Sequence, residues 1–398
     1  MIWRSPKVKS KLSVWTEILF ISTRLGLTSF GGPVAHLAYF HEEYVQRKKW
    51  IDEKSYADLV ALCQFLPGPA SSQVGIGIGI QRGGIIGGIL SFLGFTMPSV
   101  IFLIIFASVL DHFGLEDAGW ISGLKIVAVA VVAQAVLGMS QKLAPDLERK
   151  TIALFALVAT LLWQSAYTQI GAILLAGVAG FLLYRNQPIL GKQSAHPFPV
   201  SKRVGVSCLA LFFGLLLFLP VLNNVTSSKW IALMDSFYRS GSLVFGGGHV
   251  VLPLLEQEIV PAGWMSEEQF LAGYGAAQAV PGPLFTFAAY LGAIINGWQG
   301  GLFATFAIFL PAFLLVLGTL PFWNALRNHP KMTACLMGIN ASVVGILLSA
   351  LYHPIFTSSI HTAAEFAMAA ILFSMLYFWK FPPWVIVVTG ALGGVLFL

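Results

Sequence analysis

The chain has 398 residues, of which 57% are hydrophobic and only 10% charged, where a soluble domain carries about 25% charged residues. That gap, with a mean hydropathy of +0.80, excludes a soluble protein, and the unbroken apolar runs exclude a membrane β-barrel, whose strands alternate polar and apolar residues. The net charge of +6 belongs mostly to loop Lys and Arg that set membrane topology, so no nucleic-acid partner is expected and the lipid bilayer is.

In chain order, residues 1–26 are basic and then apolar, like a signal peptide. They lack a small-x-small cleavage site, and Glu17 and Arg24 interrupt the apolar run, so they read as a retained first helix. F-G-G-P follows at Phe30–Pro33, then a basic stretch near 42–54 and Q-F-L-P-G-P at Gln64–Pro69. Next comes the Gly-rich run 75–88, which lacks the Gly-Lys-Ser/Thr ending of a nucleotide loop and reads as a surface for tight helix packing. Apolar runs at Val100–Leu110, Ile121–Leu137, Val204–Val221, Leu302–Leu320 and Trp384–Leu398 approach the roughly 20 residues that span a bilayer. The expected fold is an all-α polytopic membrane protein. Cys63, Cys208 and Cys335 lie far apart in apolar stretches and suggest no disulfide framework or metal site. His36 and His41 have too few further ligands for a metal. No metal and no cofactor are expected.

The second half repeats the first. Arg24 aligns with Arg239, F-G-G-P with F-G-G-G at 245–248, Trp50 with Trp264 and Gln64 with Gln278. Pro67-Gly68-Pro69 aligns with Pro281-Gly282-Pro283, Gly87-Gly88 with Gly300-Gly301 and Pro98 with Pro311. The expected organisation is a first membrane repeat over 1–184, a polar, Pro-containing cytoplasmic linker over 185–203 and a second repeat over 204–398. The apolar segment 204–221 has no first-half partner.

Lys and Arg place the tail (Arg4, Lys7, Lys9, Lys11), the 42–54 stretch, the 142–150 loop and the linker in the cytoplasm. The 111–119 loop, without Lys or Arg, belongs outside. The counterpart of the basic stretch, 256–268, has four Glu and no Lys or Arg and also belongs outside. The extra segment would turn the second copy over, giving an inverted-topology repeat. Residues 12–45 and 54–82 would each enter and return as broken, re-entrant helices. The N-terminus would be cytoplasmic and the C-terminus outside.

Pro ends helices and Gly permits positive φ. Such backbone inside a membrane must be buried in protein or line a wet cavity, so paired breaks point to a midplane site between repeats. Helix starts after Pro69, after Pro283 and at the glycines Gly31, Gly32, Gly246 and Gly247 offer N–H groups and a positive dipole end to an anion. Ser71, Ser72 and Thr286 could add hydroxyl donors. Gln64 and Gln278 either cap the broken backbone or touch the ligand. Arg24 and Arg239 precede their breaks by six residues, and an Arg at the bilayer centre costs roughly 2.5–3.5 kcal/mol. Together they suggest a cationic site suited to a bidentate oxyanion; the other reading is snorkelling, or pairing with a carboxylate such as Glu17.

These motifs, with the basic stretch, the Gly-rich run and the linker between copies, resemble the chromate ion transporter family in its long-chain, two-domain form. The resemblance covers nearly the whole chain. It implies chromate efflux from the cytoplasm and chromate resistance in bacteria, with functional positions at Arg24, Phe30–Pro33 and Pro67–Pro69. The second half departs: Gly248 stands where Pro33 does, and Leu284-Phe285 replace Ala70-Ser71. The half-sites are therefore expected to be unequal, the first better suited to ligand contact. Without a Walker motif, transport would run on membrane potential, an ion gradient or a partner; Glu17 and Glu365 are lone candidates for a proton relay. The expected location is the plasma (inner) membrane, multi-pass. A homodimer is compatible with the sequence, which does not require one. Competing readings are a transporter of sulfate or another small oxyanion, a gated anion channel, and an intramembrane enzyme, for which no triad or ligand cluster is evident.

Overall fold

The computed structural model describes residues 10–30, 32–113, 119–163, 165–185, 199–245, 248–323 and 330–397. Gly31, Gly246 and Gly247 among the expected site residues lie outside them, as do tail residues Arg4, Lys7 and Lys9 and most of the 185–203 linker. The described residues form helices and no strands, and six helices are long and apolar enough to cross a membrane. The protein is an all-α polytopic membrane protein.

The first half contains α1 (Lys11–Thr28), α2 (Gly32–Phe40), α3 (Glu53–Phe65), α4 (Ala70–Phe113), α5 (Gly119–Leu143), α6 (Leu147–Leu162) and α7 (Ala166–Tyr184). After α8 (Lys202–Val225) come α9 (Lys229–Leu243), α10 (Val251–Ile259), α11 (Glu267–Ala277), α12 (Phe287–Thr319), α13 (Pro330–Ala350), α14 (Ala363–Tyr377) and α15 (Pro383–Phe397). Side-chain caps start many of them: Asp52 for α3, Asp146 for α6, Ser201 for α8 and Ser266 with Gln269 for α11, each satisfying N–H groups that a helix leaves open. The α8 helix, expected from the sequence to lack a first-half partner, is mostly exposed, as suits a lipid-facing helix.

The Gly-rich run hides a sharp bend. Within α4, Gly83 and Gly84 leave helical geometry, Gly84 at φ 68°, where a side chain is strained. The Ser91 hydroxyl donates to the Gly75 carbonyl at 2.8 Å, whereas sixteen residues of straight helix would span about 24 Å. The α4 helix is therefore two antiparallel arms, 70–82 and 85–113. The α12 helix bends likewise at Asn296 and Gly297 (φ 63°), the positions aligned with Gly83 and Gly84.

This bend returns the chain to its starting end. Glu17 of α1 meets Lys48 at 3.8 Å and Arg82 at 3.7 Å, and the Arg82 guanidinium lies 5.4 Å from the centre of the Trp50 ring. Residues 17, 48, 50 and 82 thus gather at one end. The chain between them forms two helical hairpins, α1–α2 and α3 with the first α4 arm, the second turning at P-G-P. Glu17 is thereby engaged with two cations. Glu365, the other relay candidate, completes a capping box with Thr362 at the start of α14.

The stretches 42–54 and 256–268 are less loop-like than their charge suggests. A π-helical turn extends α2 through Arg47, and α10 runs to Ile259. Their acidic residues Glu43 and Glu256 are buried.

The halves also exchange helices. The α5 helix packs on α14 and α15 of the second half, as α13 packs on α6 and α7 of the first. Glycines permit the approach: a Cβ on Gly123 would lie 2.1 Å from the Gly390 carbonyl oxygen, and one on Gly338 1.9 Å from that of Ala176.

Candidate functional site

The two P-G-P breaks are tied to the opposite halves. Gly68, at φ 112°, donates its N–H to the Val244 carbonyl at 2.7 Å; Gly282, at φ 98°, donates to the Ser29 carbonyl at 2.9 Å. Val244 and Ser29 occupy aligned positions, each just before its F-G-G motif. The free carbonyls are also satisfied: Gln73 Nε2 donates to Pro67 at 2.8 Å, and the Ser99 hydroxyl donates to Pro281. This is how irregular backbone is made tolerable away from water.

Around the crossing the halves differ. In the first half-site, His36 is fully buried. Its Nε2 lies 3.1 Å from the Ser29 carbonyl and its Nδ1 3.2 Å from the Ser71 hydroxyl. Because a carbonyl only accepts, Nε2 carries a proton, and Ser71 is occupied by the ring. Ser72 is buried with an unpartnered hydroxyl, Pro69 is buried, and Gln64 is exposed. Phe30, just before the described part of the break, is half-buried.

In the second half-site, the helix after Pro283 begins as a 3-10 turn, and the Thr286 hydroxyl donates back to the Pro283 carbonyl at 2.8 Å. A cavity of about 70 Å³ lies here, lined by Gly32 and Pro33 of the first half and by His249, Gln278, Gly282 and Leu284 of the second; Gln134 of α5 contributes a further polar side chain. Thus Gly32, Pro33, Gln278 and Gly282, among the residues expected from the sequence, meet at one space. Gln64, Pro67, Gly68, Pro69, Ser71, Ser72, Pro281, Pro283 and Thr286 support the crossing or flank it without lining that cavity.

Arg24 and Arg239 do not line it either. Arg24 pairs with Glu43 at 2.5 Å, and Arg47 holds the same carboxylate at 2.9 Å. Arg239 bridges Asp235 at 3.0 Å and Glu258 at 2.8 Å. Glu43 and Glu258 are aligned positions, so the halves share an Arg–Glu pair. The carboxylate-pairing reading describes this geometry, with Glu43 rather than Glu17 as the partner of Arg24. Arg24 remains 42% exposed and Arg239 20%.

Sequence reasoning missed His249 and Gln134. His249 follows F-G-G-G directly, but its aligned residue is Val34, and a search for agreement between copies passes over it. Gln134 is a lone amide in an apolar helix, a signal available but not used.

Fold and cavity define a polytopic helical membrane protein whose two related halves bound a small cavity with a few polar side chains in an apolar wall, an arrangement suited to solute transport. The family model described as Chromate transporter matches residues 16–181 and again 231–395, and the chain belongs to the chromate transporter family in its two-domain form. It is 27% identical over 385 residues to a probable chromate transport protein of Synechococcus elongatus, covering 94% of this chain and 93% of the relative. It is 28% identical over 329 residues to a chromate transport protein of Pseudomonas aeruginosa, covering 81% and 77%. An uncharacterized transporter of Methanocaldococcus jannaschii is 28% identical over 344 residues, covering 85% and 83%. No solved structure matches the chain.

Proposed function

We propose that this protein moves a tetrahedral oxyanion, chromate first, out of the cytoplasm and so confers chromate resistance. The observation that carries the reading is the small cavity, with His249, Gln278 and Gln134 in its wall, that lies where the broken motifs of the two halves cross, in a chain of the chromate transporter family. The first repeat (1–184) and second repeat (204–398) have opposite orientations, joined by the cytoplasmic linker 185–203 and turned over by α8. The hairpins of each half re-enter the bilayer from opposite sides. The N-terminus is cytoplasmic, the C-terminus outside, and the membrane the bacterial inner membrane.

Arg24, partly exposed and with donors beyond the one that holds Glu43, draws the anion toward the crossing; Arg239 serves the opposite face. A potential of 100 mV, negative inside, favours exit of a dianion by roughly 4.6 kcal/mol, enough for secondary transport without a nucleotide. Chromate uptake into inside-out vesicles with a positive interior tests the reading. Saturable accumulation, reduced by excess chromate and lost in Arg24→Gln, is expected. Sulfate accumulation without chromate accumulation would replace the substrate, and movement of neither anion would end the proposal.

A further inference from the structure

We infer that the transported oxyanion is gripped in the central cavity by neutral N–H donors, the His249 imidazole and the Gln278 and Gln134 amides, and not by an arginine. The inference rests on the transport reading above and adds to it the residues that hold the ligand.

Among the described residues, no Lys, Arg, Asp or Glu lines the cavity. Arg24 pairs with the buried Glu43, and Arg239 with the buried Asp235 and with Glu258. What faces the space is three uncharged polar side chains, His249, Gln278 and Gln134, set among apolar ones such as Val131, Val280, Leu284 and Leu376. The Gln278 side chain lies beside the Tyr274 hydroxyl, but its buried nitrogen makes no hydrogen bond of good geometry there, which leaves it able to donate to an acceptor in the cavity. His249 Nδ1 lies 2.9 Å from the hydroxyl of Tyr274, a side chain wholly enclosed in the core. A phenol is the better donor and an imidazole nitrogen the better acceptor. The proton of the neutral ring is then on Nε2, the nitrogen that Tyr274 does not engage, on a side chain that lines the cavity. Tyr274 is thus a positioning residue that fixes the tautomer. Gly32 and Pro33 bring the first turn of α2 to the same wall, adding the positive end of a helix dipole.

Neutral donors also suit the task. A carrier must release what it binds, and sites that conduct bind strongly enough to admit a ligand but weakly enough to let it go. A desolvated guanidinium against a dianion would hold too long.

The test uses the full-length protein with chromate and sulfate as probes, in vesicle transport and in thermal unfolding of purified protein with and without each anion. Gln278→Glu keeps the side-chain shape but replaces the donor with a carboxylate. It should remove anion-dependent stabilisation and reduce uptake at least tenfold. His249→Phe should raise the half-saturating anion concentration about tenfold, the effect of one lost hydrogen bond. His249→Gln, which retains an N–H at similar reach, should stay within about threefold of wild type on the same reasoning. Wild-type response in both Gln278→Glu and His249→Phe, with wild type itself active, would overturn the inference and leave the transport reading standing. A wild type that neither moves nor is stabilised by either anion would overturn both.

Discussion

The two halves share a backbone plan and differ in what they do with it. Each has a helix that ends just before F-G-G, a break at P-G-P, a bent long helix and an Arg–Glu pair. In the first half, His36 and Ser71 fill the space beside the break and Gln64 faces outward. In the second, Phe285 replaces Ser71, His249 appears beside F-G-G-G, and Gln278 lines the cavity. Duplication supplies a scaffold in which two breaks satisfy each other's backbone. Divergence then leaves buried side chains on one side and a cavity on the other. The cavity walls come from both halves, so neither copy forms it alone.

The largest expected contrast between the halves is in their ion pairs. Arg239 is the cation shared by Asp235 and Glu258, and Asp235 is only 3% exposed. Arg239→Gln should destabilise the protein by about 3–5 kcal/mol, the usual result of stripping a partner from a buried charge. Thermal unfolding in detergent would report it, and adding Asp235→Asn and Glu258→Gln should recover most of the loss. Arg24→Gln should cost much less stability because Arg47 still holds Glu43, while transport is lost. Equal destabilisation by the two substitutions would break the comparison.

Next come the aligned glycines of the P-G-P motifs. Both have positive φ, at a cost of roughly 1–2 kcal/mol for any side chain. A Cβ on Gly282 would also meet the Ser99 hydroxyl oxygen at 2.7 Å, whereas one on Gly68 meets the movable end of Gln73 at 3.1 Å. Transport and stability should therefore fall further in Gly282→Ala than in Gly68→Ala. Pro67→Ala should still insert in the membrane but lose transport, measurable as normal expression with no uptake.

The smallest effect is at the rim. Asp146 caps α6 in the turn after α5, and its hydrogen bond from the Arg149 side chain holds its carboxyl down at about 2, against about 3.9 for an unperturbed Asp. A lowered folded-state value stabilises the protein above about pH 4 and loses that contribution as pH falls toward 2. Unfolding midpoints measured across this window should fall less steeply in Asp146→Asn than in wild type.

Much of this architecture could be read from the chain, because Pro and Gly speak through local geometry. The P-G-P breaks came from that signal, and the order of matched rare residues, Arg and Trp among them, marked the duplication that the two matched regions show. The bend at Gly83–Gly84 did not, since a Gly-rich run serves equally for close packing and for reversal. Glu43 and Glu258 looked like loop charges because they sit among loop charges; their shared alignment with Arg24 and Arg239 was the missed clue. The bonds from Gly68 to Val244 and from Gly282 to Ser29 are between backbones distant in sequence, and no side-chain identity announces them. His249 is hidden for the opposite reason, as it marks where the copies part.

The most direct test of the account is chromate flux into proteoliposomes containing only this purified protein, under an imposed potential, with Gln278→Glu alongside wild type. The account predicts saturable, potential-dependent accumulation by wild type and little by the variant. Wild-type flux no greater than that of protein-free liposomes would contradict it.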